Sequence, residues 1–348
     1  MNFRRFKAMT LAGVMTVGMC MGTSVFAAAQ VGSGTGDNPA DADITKKLNI
    51  AEGVTVPNVT FTFDFTKVTT DAPDIASKMI SYSSGDVSQE NMVRKTVEDI
   101  FKGVTFPHAG EFKYTLKERT GDVNIDNGTM SYDSSVYTIR VYVKNKADGG
   151  LYISDITAEK DGGKKEEIDF INTFRKDTCL TVRKNTVGDM ADKTKNFKFT
   201  INFTKAPTCE DNFFASGSKN YEYGKDYTFE LADGESLTFG SIPAGTRYSV
   251  TEEGAADGYT PKVTVVENGG EAKSASAGET ESLSSTAVNN GDLNLAGDKT
   301  NTVTFTNTYE DVVVTGVHVD NLPFVLMILT AVGGFAGYVV LRRHKMAD

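Results

Sequence analysis

Six residues of this chain have the types and spacing to form covalent bonds without a cofactor. Lys46, Glu118 and Asn172 recur in the same order as Lys184, Glu252 and Asn307. The asparagine follows the glutamate by 54 residues in one half and 55 in the other. Each sits in an apolar run of alternating pattern. Lys46 shares parity with Ile44 and Leu48, and Lys184 with Leu180 and Val182. Glu118 matches Tyr114 and Leu116, and Glu252 matches Tyr248 and Val250. Asn172 lies between Phe170 and Phe174, and Asn307 between Phe305 and Tyr309. Same-parity residues of a strand face one side, so each half is expected to bury an amine, a carboxyl and a carboxamide. A lone buried ion is prohibitively costly. Desolvation lowers the pKa of lysine and raises that of glutamic acid, so both can be neutral. A neutral amine is a nucleophile, and a protonated carboxyl can polarise a carboxamide and relay protons. Attack on the asparagine amide carbon with loss of ammonia leaves a Lys–Asn isopeptide bond, with Glu118 and Glu252 as the catalytic groups. The alternative is a buried Lys–Glu salt bridge with asparagine as a hydrogen-bonding bystander. Buried pairs stabilise weakly, so finding the trio twice favours the crosslink. Lys47 competes with Lys46, but its parity points it outward.

The elements that must position these residues are strands. Thr, Val, Phe and Tyr alternate with polar residues, helical periodicity is scarce, and Gly, Asn and Asp punctuate the runs. Landmarks repeat in order: Phe61, Phe63 and Phe65 match Phe199, Ile201 and Phe203, and both runs end in Phe-Thr-Lys. Ala109-Gly110 and Ala244-Gly245 lead into the glutamate strands, and each half closes on Phe-x-Asn-Thr-aromatic. So long a period indicates domain duplication and not a solenoid. The expected architecture is all-β, two tandem immunoglobulin-like sandwiches over 42–176 and 177–310. The strand around Tyr137 to Val143 is expected to be half-buried. Its counterpart from Tyr259 contains Pro261, which predicts an edge strand or a bulge.

Composition narrows the chemistry. A net charge of −10 argues against nucleic acid or an anionic membrane as partner. His108, His318 and His344 are far apart, and there is no CxxC, HExxH or glycine-rich phosphate loop. No metal, no cofactor and no turnover chemistry is expected. Cys20 lies in an N-terminal apolar stretch, leaving Cys179 and Cys209. If the strands that carry them pair as neighbours, an exported chain would form a Cys179–Cys209 disulfide; separate free thiols are the alternative.

The termini read as addresses. Arg4, Arg5 and Lys7 precede an apolar stretch and Ala27-Ala28-Ala29, which predicts a signal peptide over 1–29. Residues 30–41, rich in Gly, Ser, Asn and Asp, read as a flexible linker. Removing both terminal signals leaves roughly 280 residues, enough for two domains. At the far end come Val312-Val313-Val314-Thr315-Gly316, an apolar stretch over 322–341 and a basic tail over 342–348. About 20 apolar residues suffice for a membrane helix, and the basic end marks the cytoplasmic side. An ordinary membrane anchor is one reading.

The whole pattern resembles another group. Motif, span and basic tail are similar to the cell-wall sorting signal of Gram-positive surface proteins over 311–348, and the triads resemble those of self-crosslinking pilin domains of collagen-adhesin B type. The resemblance implies cleavage by sortase between Thr315 and Gly316, with the Thr carbonyl held as a thioacyl-enzyme and passed to an amine. Val312 and Val313 stand where Leu and Pro are usual, which implies a pilus-dedicated sortase. It further implies a major (backbone) pilin at the cell surface, joined to copies of itself, with minor pilins and peptidoglycan as further partners. The acceptor expected by this likeness is Lys165, or else Lys164, in Gly162-Gly163-Lys164-Lys165-Glu166-Glu167. A monomeric wall-anchored adhesin or a minor pilin is the alternative.

Overall fold

Alternation with a period of two yields strands through both halves. The computed structural model describes residues 31–254, 258–310 and 322–344. The signal-peptide expectation (1–29) and the motif 312–316 therefore lie outside the described residues. Contacts divide the chain between Lys176 and Asp177.

The first unit contains β1 (Ile44–Ile50), β2 (Val59–Lys67), β3 (Lys78–Tyr82), β4 (Met92–Val97), β5 (Gly110–Glu118), β6 (Asn124–Ile125), β7 (Gly128–Ser131), β8 (Val136–Asn145), β9 (Leu151–Lys160), β10 (Gly163–Lys165) and β11 (Ile168–Arg175). One sheet runs β4-β1-β11-β7-β6 and the other β10-β9-β8-β5-β2-β3. The first and last strands, β1 and β11, are parallel neighbours, with Lys46 opposite Phe170 and Leu48 opposite Asn172. Phe63 of β2 and Tyr137 of β8 both meet Phe170 across the sandwich, with ring centroids 5.1 and 5.2 Å away. Burying such rings is the main source of cohesion here.

The second unit contains β12 (Asp177–Val187), β13 (Phe197–Thr204), β14 (Phe213–Ser216), β15 (Lys219–Glu222), β16 (Asp226–Leu231), β17 (Ser236–Pro243), β18 (Thr246–Glu252), β19 (Tyr259–Val266), β20 (Lys273–Ser276), β21 (Leu283–Ser284), β22 (Asn294–Ala296) and β23 (Thr302–Tyr309). Its sheets run β17-β12-β23-β19-β20 and β16-β13-β18-β21, with β22 also on β18; β14 and β15 form a separate hairpin. Again the first and last strands are parallel neighbours. Phe199 and Phe305 join the two sheets at 5.2 Å.

Two expectations are corrected. The 30–41 linker is not a free tether over its described part. Gly34 donates its N–H to Ser154 O at 2.7 Å, and Gly32 O accepts from Ile156 at 3.0 Å. Val31 N–H reaches Glu166 O, so the segment continues along β9 from where β10 stops. Its Gly and Ser residues suit close approach to an open strand edge: a side chain at Gly34 would collide with the backbone of Ala40. β19 is neither an edge strand nor bulged at Pro261, since it lies between β23 and β20 in unbroken register. Pro261 O accepts from Ala277, so the missing N–H falls on the β20 side, where the β19–β20 ladder begins only at Lys262.

A further expectation concerns the span over 322–341. A helix, α1 (Leu322–His344), does form there, and its apolar side chains such as Phe324, Leu329 and Phe335 are exposed. Among the described residues no helix is long and apolar enough to cross a membrane.

Candidate functional site

Each triad is assembled from three strands on two facing sheets. In the first unit, β1 supplies Lys46, the end of β5 supplies Glu118 and β11 supplies Asn172. Lys46 and Asn172 are 0% exposed, and the Glu118 side chain is equally closed to solvent. Lys46 Nζ donates to Glu118 Oε2 at 2.7 Å, and Asn172 Nδ2 donates to Glu118 Oε1 at 2.6 Å. The carboxyl thus bridges the nucleophile and the group it would attack. Asn172 Oδ1 accepts the backbone N–H of Asp133 at 2.7 Å. The Phe61 ring covers the amine, 4.6 Å from Nζ.

Burial dominates the electrostatics. It lowers the Lys46 amine to about 8, although Glu118 pulls the other way. It also raises the Glu118 carboxyl above its ordinary value against the opposing pull of Lys46. A pair in which both ionised forms are penalised tends to a neutral amine and a neutral acid. That is the protonation state that nucleophilic attack on a carboxamide requires.

The second unit repeats the arrangement with looser contacts. Lys184 on β12, Glu252 at the end of β18 and Asn307 on β23 are all 0% exposed. Asn307 Nδ2 donates to Glu252 Oε1 at 2.7 Å. Lys184 Nζ is 3.1 Å from the same oxygen but out of line for a hydrogen bond, and it lies 4.1 Å from the Phe197 ring centre. Burial lowers Lys184 to about 8 and raises Glu252. Lys47, by contrast, lies at the margin of the fold and pairs with Asp169 at 2.8 Å.

Asp133 is the residue that sequence reasoning missed. Its carboxylate accepts the N–H groups of Ser135 and Ile171, each at 2.8 Å. The Asp133-Ser134-Ser135 stretch signals an Asx turn, but nothing in one sequence aims the turn's N–H at Asn172.

The expected Cys179–Cys209 disulfide does not form; both cysteines are free. Cys179 is exposed on β12 and Cys209 is buried beyond β13. The premise of paired strands fails, because β12 pairs with β17 and β23 whereas β13 pairs with β16 and β18. Among the described residues no group of His, Cys, Asp or Glu is placed to hold a metal ion.

Comparison with known proteins gives this geometry a family. Residues 42–175 match the Spy0128-like isopeptide containing domain, and residues 178–309 match a domain of unknown function, DUF7601. A pilin of Streptococcus pyogenes serotype M1 is 29% identical over 92% of this chain and 95% of its own length. These matches support a likeness to the Gram-positive major pilins over nearly the whole chain. That likeness supports a subunit of the shaft of a cell-surface pilus. A solved major pilin from Streptococcus pyogenes has 27% identity, with 78% of this chain and 99% of that one covered, at a TM-score of 0.38. The pilus tip adhesin Cpa of Streptococcus pyogenes is 39% identical over 22% of this chain and 12% of its own length.

Within this chain the candidate acceptor lysines lie on β10. Lys164 is opposite Glu159 and exposed, whereas Lys165 is opposite Ala158 and half-buried. The donor end, Thr315 and Gly316, lies outside the described residues.

Proposed function

We propose that the chain is a covalently polymerised shaft subunit whose two domains each seal themselves with a Lys–Asn isopeptide bond, Lys46 to Asn172 and Lys184 to Asn307. The observation that carries this reading is the buried bridge in which Glu118 holds both the Lys46 amine and the Asn172 carboxamide. The neutral amine attacks the amide carbon, Glu118 relays the amine proton to Nδ2, and ammonia leaves. The products are one amide and one ammonia, so no cofactor is consumed. Each residue set reacts once, so this is self-modification and not turnover.

The tie joins the first strand of each domain to the last, and those strands are parallel neighbours. Force entering at one end would pass through the bond and leave the intervening strands unloaded. Closing so long a loop would stabilise each domain by ~3–5 kcal/mol if it acts as a disulfide does.

In this reading sortase cleaves after Thr315 and transfers its carbonyl to Lys165 or Lys164 of the next copy. The signal peptide, the apolar 322–341 segment and the basic tail serve only the precursor. A minor pilin at the tip and peptidoglycan at the base are the remaining partners. The pilin relative is matched over 95% of its length and the tip adhesin over 12%, which favours a shaft role over an adhesin role. Intact mass spectrometry of the recombinant mature protein tests the crosslinks. Loss of two ammonia molecules is expected; the unmodified sequence mass would overturn them.

A further inference from the structure

The two triads differ most at the carboxamide oxygen. In the first domain Asn172 Oδ1 has the Asp133 N–H at 2.7 Å. That N–H is available because β7 ends at Ser131, opposite Thr173, and the chain turns away before reaching the asparagine. In the second domain the neighbouring strand does not turn away. β19 continues past the site with Pro261 opposite Asn307 and Lys262 opposite Thr306. Position 261 offers the site no N–H, since proline lacks one and its backbone nitrogen faces β20, and the Lys262 N–H faces β23 as part of the ladder. Asn307 Oδ1 is buried without a partner.

On the other side of β23 stands a second unpartnered group. β12 places Thr186 in register with Asn307, where the first domain has Leu48 against Asn172. Thr186 is 3% exposed and shares the inward face with Lys184. Its hydroxyl also has no partner. A buried donor and a buried acceptor, both unsatisfied on adjacent strands, are costly unless they serve each other at some stage.

We propose that the Thr186 hydroxyl is the oxyanion donor of the second domain, taking the part that the Asp133 N–H takes in the first. The inference rests on the crosslink proposed above. As Lys184 Nζ bonds to Asn307 Cγ, the carbonyl π pair moves onto Oδ1. The amine proton passes through Glu252 to Nδ2, ammonia departs, and the carbonyl reforms. Charge on Oδ1 peaks between these steps, where a donor lowers the barrier most. A hydroxyl hydrogen turns freely to meet the oxygen, as a ladder N–H cannot.

The test is a pulse of cell-free synthesis of the mature two-domain protein, quenched at intervals and digested, with the crosslinked peptides of each domain quantified by mass. Thr186→Val keeps the branched shape and removes the donor, while Thr186→Ser restores it. Loss of one oxyanion donor slows acyl chemistry about 10²–10³-fold. Second-domain crosslinking in T186V should therefore slow at least about tenfold, with T186S near the wild-type rate and the first domain unchanged in both. If T186V folds poorly by its melting transition, Thr186→Ala gives the same comparison without added bulk. Crosslinking of the valine and alanine variants at the wild-type rate would overturn the proposal, as would equal slowing in T186S. If the wild-type protein loses no ammonia from either domain, the crosslink reading itself fails, and this inference with it.

Discussion

Lys46 Nζ lies 2.7 Å from Glu118 Oε2 with neither side chain exposed, although 72 residues separate the two. The contact spans the sandwich, from the β4-β1-β11-β7-β6 sheet to the facing one. Burial outweighs mutual attraction in both partners, lowering the amine and raising the acid. As a plain ion pair it would add little stability. Beside Asn172, burial favours the neutral form of each partner.

Glu118→Ala should block crosslinking in the first domain alone. The Lys46 amine then has no bridging acid and stays buried without its partner. Breaking a buried pair costs about 3–5 kcal/mol, so the first domain should melt earlier as well. Peptide mapping and calorimetry read the two effects separately; a first-domain crosslink in this variant would refute the role of Glu118.

The uncrosslinked state should carry a pH signature that the crosslinked state lacks. In Asn172→Ala the Lys46 amine still titrates, near 8 folded against 10.5 unfolded. Between those values the unfolded chain binds more protons, so stability rises with pH across that window. Glu118, raised by burial, acts in the opposite sense at lower pH. Once crosslinked as proposed, Lys46 of the wild-type protein is an amide and does not titrate. Denaturation at a series of pH values should show the alkaline gain in the variant and not in the wild type.

Thiol counting provides a third check. Native mature protein should react with a thiol reagent once, at exposed Cys179, and a second time, at buried Cys209, only after unfolding. No thiol titrating in denaturant without reductant would indicate a disulfide instead.

Deleting residues 31–39 should uncover part of the β9 edge. The Ile156 N–H loses Gly32 O as acceptor, and Ser154 O loses the Gly34 N–H. At about 1 kcal/mol net per bond, the first domain should be destabilised by roughly 1–3 kcal/mol. Hydrogen exchange at Ile156 should accelerate; unchanged protection there would rule out the docked strand.

For the intersubunit bond, Lys165→Ala and Lys164→Ala together should abolish the high-molecular-weight ladder on an immunoblot of muramidase-released wall material. The single variants identify the acceptor. A ladder persisting in the double variant would exclude β10 as its location.

The strand pattern, the duplication and the inward direction of both lysines were legible in the sequence, because the period of a strand is fixed by its backbone and parity alone assigns a face. Parity cannot say which strands become neighbours. It suggested a Cys179–Cys209 pairing across β12 and β13, which belong to different sheets, and an edge position for Pro261, which lies inside one. Nor could it foresee that the 31–41 segment would dock on β9, since Gly and Ser suit an open strand edge as well as a free tether. Sequence therefore determined which side chains had to be buried together. Only the tertiary structure decided what stands at each carboxamide: a released N–H on Asn172 Oδ1, where β7 stops, and Thr186 in register with Asn307, where β19 runs on. Those neighbours follow from strand order and strand ends, which arise from long-range pairing and leave no local trace in the chain.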